Sequence, residues 1–214
     1  MPRVALIHAL AHSVAPINAE FARVWPECER MNLLDDSLSA DLARAGGVLD
    51  QTMQTRFLQL ADYALGTGAQ GILFTCSAFG TCIDAVARRH NEVPVLKPNE
   101  AMIKDAVRAG RRIALIATFG PTLQSMPPEF PSNVELVPML AEGALDALNA
   151  GDVARHDGLI VDAAIRATEH GVDAVALAQF SMARAEPLVR QAVAQPVLTT
   201  VGSTVQAMRR ALHA

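Results

Sequence analysis

The sequence predicts an α/β protein built as two pseudo-symmetric three-layer αβα lobes with mainly parallel sheets and a cleft between the lobes. Three observations carry this expectation. Short apolar, strand-like runs alternate with helix-length segments along the whole chain, the pattern of a parallel sheet with helices on both faces. The chain also repeats itself. Gly68-Ala-Gln-Gly-Ile-Leu-Phe-Thr-Cys76 reads like Gly171-Val-Asp-Ala-Val-Ala-Leu-Ala-Gln179. Each run is preceded by a matching strand (Val4-Ala5-Leu6-Ile7 and Ile113-Ala114-Leu115-Ile116) and followed by an echo (Pro94-Val95-Leu96 and Pro196-Val197-Leu198). Finally, 214 residues suit two half-sized lobes, and a hydrophobic content of 51% with only 4% aromatics suits close-packed layers rich in Ala and Val.

The elements follow in order. Residues 4–10 read as a buried strand, 16–25 as a helix and 30–34 as a short strand before a turn at Asp35-Asp36-Ser37. Leu49, Met53, Phe57, Leu60 and Tyr63 recur at helical spacing and predict a helix over 48–66, closed by Gly66 and Gly68. A strand over 69–75, a turn at Cys76-Ser77-Ala78, a helix over 79–90 and a strand over 93–97 come next. Asn99 reads as the N-cap of a helix running to Gly110. The second half gives a strand over 112–118, then a turn at 119–122 leading into a helix, then a short strand over 134–138. An amphipathic helix over 153–170 closes at Gly171. A strand over 172–178, a turn over 179–183, a helix from about 184, a strand over 196–199 and a helix over 203–213 complete the chain. The expected domains are 1–98 plus 200–214 and 99–199, with the last helix crossing back to the first lobe.

Charge and motifs narrow the function. The net charge of −4 comes without a basic stripe, which argues against a nucleic-acid partner. No apolar run reaches the roughly 18 residues of a membrane span. Met1-Pro2-Arg3 leads straight into a strand pattern, so neither a membrane location nor secretion is expected. Three cysteines without a CxxC argue against a disulfide framework and against structural zinc, and favour a cytoplasmic location. GxGxxG and GxxxxGK[ST] are absent, and no cofactor or metal is expected.

Ligands of parallel sheets bind beyond the carboxyl ends of the strands. Cys76 stands there, at a strand-to-helix junction. The amides of Ser77, Ala78 and Phe79 suit a carboxylate or an oxyanion, and such a junction can lower a thiol pKa from ~8.5 to roughly 3.5–7.5. The thiolate would then move a proton or attack an electrophilic carbon. Cys28 and Cys82 are expected to be inert. His8 is a candidate for orienting a substrate or acting as a base, and His12 for the same roles. Thr118 and Thr122 flank a turn able to bind an anion. Ser181 either meets a ligand or caps a helix, and Lys97 meets either a carboxylate or solvent. Glu100 reads as a carboxylate at a helix start. At the place of Cys76, the second half offers Gln179.

The Thr75-Cys76-Ser77-Ala78 turn, Ala117-Thr118 and Val175-Ala176-Leu177-Ala178-Gln179 resemble the aspartate/glutamate/hydantoin racemase superfamily, over nearly the whole chain. The resemblance implies a cofactor-independent enzyme of the racemase or isomerase type, in amino-acid metabolism, acting on a small carboxylate. It also implies a homodimer or higher homo-oligomer. In the racemases of the family, one cysteine from each lobe flanks the substrate. Cys76 matches the first, Ser77 with the amides after it matches the carboxylate-binding turn, and Thr118 matches the polar residue after the middle strand. The second cysteine falls on Gln179. The hydantoin racemase motif Gly-Cys-Ala-Gly-Met aligns with Ala178-Gln179-Phe180-Ser181-Met182. A neutral amide accepts no proton, so two-thiol stereoinversion is disfavoured.

Several readings stay open. In one, His8 or His12 serves the second face; in another, Cys76 protonates an enolate in a one-sided decarboxylation. The arylmalonate decarboxylases of the family carry their cysteine in the other lobe. Cys76 as nucleophile in a cis-trans isomerisation, a thioester hydrolase using His8 or His12, and a non-catalytic carboxylate-binding protein are further alternatives.

Overall fold

Four short runs in each half of the chain become the strands of two parallel sheets. In the first, β1 (Arg3–His8), β2 (Glu29–Leu34), β3 (Gly71–Phe74) and β4 (Val95–Leu96) lie in the order β2-β1-β3-β4. In the second, β5 (Arg112–Ala117), β6 (Glu135–Leu140), β7 (Ala174–Leu177) and β8 (Val197–Thr199) lie in the order β6-β5-β7-β8. Every pairing is parallel. The central strands β1, β3, β5 and β7 are almost wholly buried, as expected of strands covered on both faces. The computed structural model describes residues 1–213. It comprises two compact units: Met1–Pro98 with the segment from Thr204 onward, and Asn99–Ser203.

The helices are α1 (Val14–Val24), α2 (Ser37–Arg44), α3 (Gln51–Gly66), α4 (Gly80–Arg89), α5 (Glu100–Ala109), α6 (Thr122–Ser125), α7 (Ala144–Asn149), α8 (Val153–Thr168), α9 (Glu186–Ala192) and α10 (Thr200–His213). Asp50 caps α3 by accepting from the Met53 N–H at 2.8 Å, and Asp152 caps α8 through the Arg155 N–H at 3.1 Å. Among the described residues, no helix is long and apolar enough to cross a membrane.

The two sheets repeat one another bond for bond. The Thr75 N–H donates to the Ile7 carbonyl at 3.0 Å, and the Ala178 N–H to the Ile116 carbonyl at 2.9 Å. Asp35 bonds to His8 at 3.0 Å as Ala141 does to Ala117 at 2.9 Å. Ile72 bonds to Pro94 as Val175 does to Pro196, both at 2.9 Å. Within its own unit, Gln179 therefore occupies the place that Cys76 occupies in the other. Both residues are extended, with φ/ψ of −126°/121° at Cys76 and −133°/147° at Gln179.

Some boundaries differ from expectation for local reasons. The helices α2 and α7 were not expected; they are short, and so present too few turns for a helical period to register. The helix after 122 is a single turn, because Pro127 and Pro128 cannot continue it. The helix α10 starts three residues earlier than expected, since the Thr199 hydroxyl accepts from the Gly202 N–H at 2.9 Å and caps it. Asn99 precedes α5 but does not cap it with its side chain, whose Nδ2 donates instead to Glu129 Oε1 at 3.2 Å.

In the first unit, Phe57 of α3 packs on Phe74 at the end of β3 (centroids 5.2 Å apart) and on Phe79 (4.9 Å). These two rings bracket Cys76 in sequence. In the second unit, Ile160 of α8 packs with Ile116, Val175 and Leu177 on one face of the sheet, and Met102 with Leu115 and Ala176 on the other. Replacing Phe57 with Ala should destabilise the protein by about 3–5 kcal/mol, read as a lower urea midpoint, because a wholly buried ring leaves a cavity that its neighbours fill only in part.

Candidate active site

The thiol end of the first sheet comes from three segments. The ladder of β3 ends at Phe74, Thr75 adds one bond to β1, and Cys76 follows. A tight turn over Ser77–Phe79 then leads into α4. Cys76 is half-buried and lines a small, largely apolar pocket with Ile7, His8, Ala9, Leu38, Phe57, Phe74 and Phe79. Its sulfur accepts from the Ala78 N–H. Burial pushes the Cys76 thiol above its ordinary pKa and outweighs that single N–H. This corrects the expected lowering. The chain makes one tight turn before α4 begins at Gly80, and the sulfur rests against hydrocarbon, so the resting group is a protonated thiol.

Ser77 and Ala78 beside it are exposed. Phe79 is not available to a ligand, a further correction, because the whole residue is buried against Phe57. The expectation for His8 is also corrected. Its ring is fully buried, and both nitrogens bond within the unit: Nδ1 to Ser13 Oγ at 3.0 Å and to Thr75 Oγ1 at 2.9 Å, Nε2 to Asn32 Oδ1 at 3.0 Å. Burial lowers its pKa, so the ring is neutral; it forms part of the pocket wall beside Cys76 with both nitrogens already bonded. His12 lies in the short turn Ala11–Ser13 and is exposed.

The other residues singled out in this unit meet partners of their own. Lys97 reaches Asp84 at 2.6 Å. Asp35 accepts from Ser37 and from Arg56 (2.7 Å), which hold its carboxyl below the usual pKa against the opposing effect of burial. Burial pushes Cys28 up to about 11 and raises Cys82 as well.

In the second unit, Gln179 is half-buried at the end of β7. Its Oε1 accepts from the Thr118 N–H at 2.7 Å and from the Thr118 hydroxyl at 3.0 Å. A main-chain N–H can only donate, so the atom facing it is the amide oxygen. The NH₂ is left to donate, and no hydrogen bond to another described residue engages it. Thr118 is buried, Thr122 opens α6 half-buried, and Ser181 lies half-buried in the turn Phe180–Ala185. Glu100 opens α5.

The sequence reading missed the polar side chains around these positions. Ser13, Asn18 and Asn32 gather about His8. In the second unit His156, fully buried, lies 2.7 Å from Asp157, whose carboxylate accepts from Arg184 Nε at 3.0 and 3.2 Å. That pair ties α8 to the turn following Gln179. The signal for it was the adjacent His156-Asp157 on the apolar face of an amphipathic helix. Among the described residues, no group of three His, Cys, Asp or Glu is placed to hold a metal ion.

The family model for Asp/Glu/Hydantoin racemase matches residues 17–208, and the chain belongs to that family. Solved structures share the fold at low identity. An aspartate racemase homologue from Pyrococcus horikoshii is 15% identical with a TM-score of 0.78, covering 100% of both chains. The allantoin racemase of Klebsiella pneumoniae is 16% identical with a TM-score of 0.75, covering 100% of this chain and 88% of the other. Unliganded arylmalonate decarboxylase is 18% identical with a TM-score of 0.70, covering 99% of this chain and 92% of the other. No curated protein sequence matches the chain.

The geometry fixes the sign of a titration. Because the thiolate is the disfavoured form, the rate of Cys76 alkylation by iodoacetamide should rise with pH about a midpoint above that of an ordinary cysteine. Site-resolved mass spectrometry reads the curve, and a midpoint at or below the ordinary value would contradict the burial argument.

Proposed function

We propose that the chain is a cofactor-independent enzyme of the racemase/isomerase type, in which Cys76 moves a proton at a carbon next to a carboxylate or carbonyl of a small substrate. The observation that carries this reading is the equivalence of Cys76 and Gln179 in two matching registers, within a chain of this family. One place holds an ionisable thiol; the other holds an amide that never accepts a proton at accessible pH. Ser77 and Ala78 serve the substrate carboxylate. In its own unit the Gln179 NH₂, with Thr118 behind the amide oxygen, is the donor this reading gives to a ligand oxygen. Thr122, Ser181 and the exposed His12 are the further polar contacts of this reading.

A specific observation favours a second reading, a one-cysteine decarboxylase of the arylmalonate type. The resting thiol is protonated and the equivalent residue is neutral, which suits a reaction needing one proton on one face. A carboxylate leaves as CO₂, its C–C electron pair remains as an enolate, and the Cys76 S–H delivers its proton to carbon. Water then reprotonates the thiolate. Stereoinversion would instead need a second acid/base group such as His12.

An exchange screen in D₂O over aspartate, glutamate, hydantoins, maleate and aryl- or alkylmalonates tests both readings. The wild type should place deuterium on carbon in one of these classes, with inversion where a second acid/base group such as His12 takes part, and with retained configuration or release of CO₂ where Cys76 works alone. Cys76→Ala should lower that rate by about 10²–10⁴-fold. Gln179→Cys should bring inversion. Saturable binding of a carboxylate with no exchange and no CO₂ would mean a non-catalytic binder and overturn the proposal.

A further inference from the structure

The buried imidazole of His8 sits at the strand ends that carry the thiol, and its protons can be placed from two main-chain carbonyls. Asn18 Nδ2 donates to the Val14 carbonyl at 2.8 Å, which fixes the orientation of that amide. The same nitrogen donates to Asn32 Oδ1 at 2.8 Å, which fixes Asn32 in turn. His8 Nε2, 3.0 Å from that oxygen, must therefore be an N–H. The neutral ring then carries a lone pair on Nδ1. The one hydroxyl proton of Ser13 goes to the Leu10 carbonyl at 2.7 Å. Thr75 is left as the hydroxyl that donates to Nδ1, at 2.9 Å and so in preference to the Ile7 carbonyl at 3.4 Å, with Ser13 Oγ a second acceptor at 2.9 Å. One ring thus joins the ends of β1, β2 and β3 and the turn after β1.

The fold itself does not require this arrangement. The second unit builds the same sheet in the same register with Ala117 in the place of His8 and Ala178 in the place of Thr75. A wholly buried polar ring is unfavourable unless every polar atom is bonded, and when it is, the network specifies a single geometry. That specification occurs only in the unit that carries the thiol, and it acts on the residue directly before it.

We propose that His8 is a positioning residue: through the Thr75 hydroxyl it fixes the main chain entering Cys76, and so the direction of the sulfur. The proposal rests on the reading of Cys76 as the acid–base group. Its test needs no substrate, so a failed exchange screen leaves it standing on its own.

Two replacements separate the two ends of the ring. His8→Asn sets an amide oxygen near the place of Nδ1 and keeps the acceptor for Thr75. His8→Gln sets an amide nitrogen near the place of Nε2 and keeps the donor to Asn32, but loses the Thr75 link. Thr75→Val removes that link from the other side at constant shape. The readout is iodoacetamide alkylation of each cysteine across the thiol titration range, with thermal melting alongside. His8→Gln and Thr75→Val should label Cys76 faster by about threefold or more, with the midpoint shifted down as water reaches the sulfur. His8→Asn should stay within about twofold of wild type. Cys28 and Cys82, buried in the same unit, report global loosening and should not change. Unchanged Cys76 labelling in Thr75→Val and His8→Gln, or acceleration of all three cysteines together, would overturn the proposal. If His8→Gln does not fold, Thr75→Val decides alone.

Discussion

What the second unit can offer a ligand depends on the Thr118 N–H that closes on the Gln179 carbonyl. A main-chain donor has no alternative orientation and no titration, so the amide it holds has one as well. The side chain then presents hydrogen on its outward side at every pH. The Thr118 hydroxyl adds a second bond to the same oxygen and stiffens the arrangement. At this position the unit offers hydrogen-bond donors and no titrating group.

Two opposed effects meet at the thiol. The Ala78 N–H favours the thiolate, and burial against Phe57, Phe74 and Phe79 favours the thiol. Burial wins, because only one N–H reaches the sulfur and the apolar wall surrounds much of it. A strand-to-helix junction by itself does not make an activated cysteine. What decides is how many donors face the sulfur and how much water does. The contrast with Asp35 is instructive: there Ser37 and Arg56 supply several donors, and the charged form is favoured despite burial.

The strands, their parallel pairing and the internal repeat were legible in the sequence, because fully buried strands read as unbroken apolar runs between glycines and prolines; the order of the strands within each sheet was not read from it. The correspondence of Cys76 with Gln179 was legible for the same reason. The short helices α2 and α7 were not, since they bury only Leu38 in one case and Ala144 and Ala147 in the other. The enclosure of His8 and Phe79 was equally hidden. A residue at the last position of a strand or the end of a turn looks alike in sequence whether it faces solvent or core; long-range partners such as Asn32 and Phe57 decide. The pinning of Gln179 by Thr118 spans 61 residues and has no local signature.

The ladder in each unit is made of main-chain bonds that are indifferent to side-chain identity, and the two ladders match although His8 stands against Ala117 and Thr75 against Ala178. Cys76 and Gln179, by which the two units differ, stand just beyond the last paired residues of β3 and β7, outside the part that determines chain pairing. Side chains at the strand ends can then be exchanged while the main-chain bonds that pair the strands stay as they are.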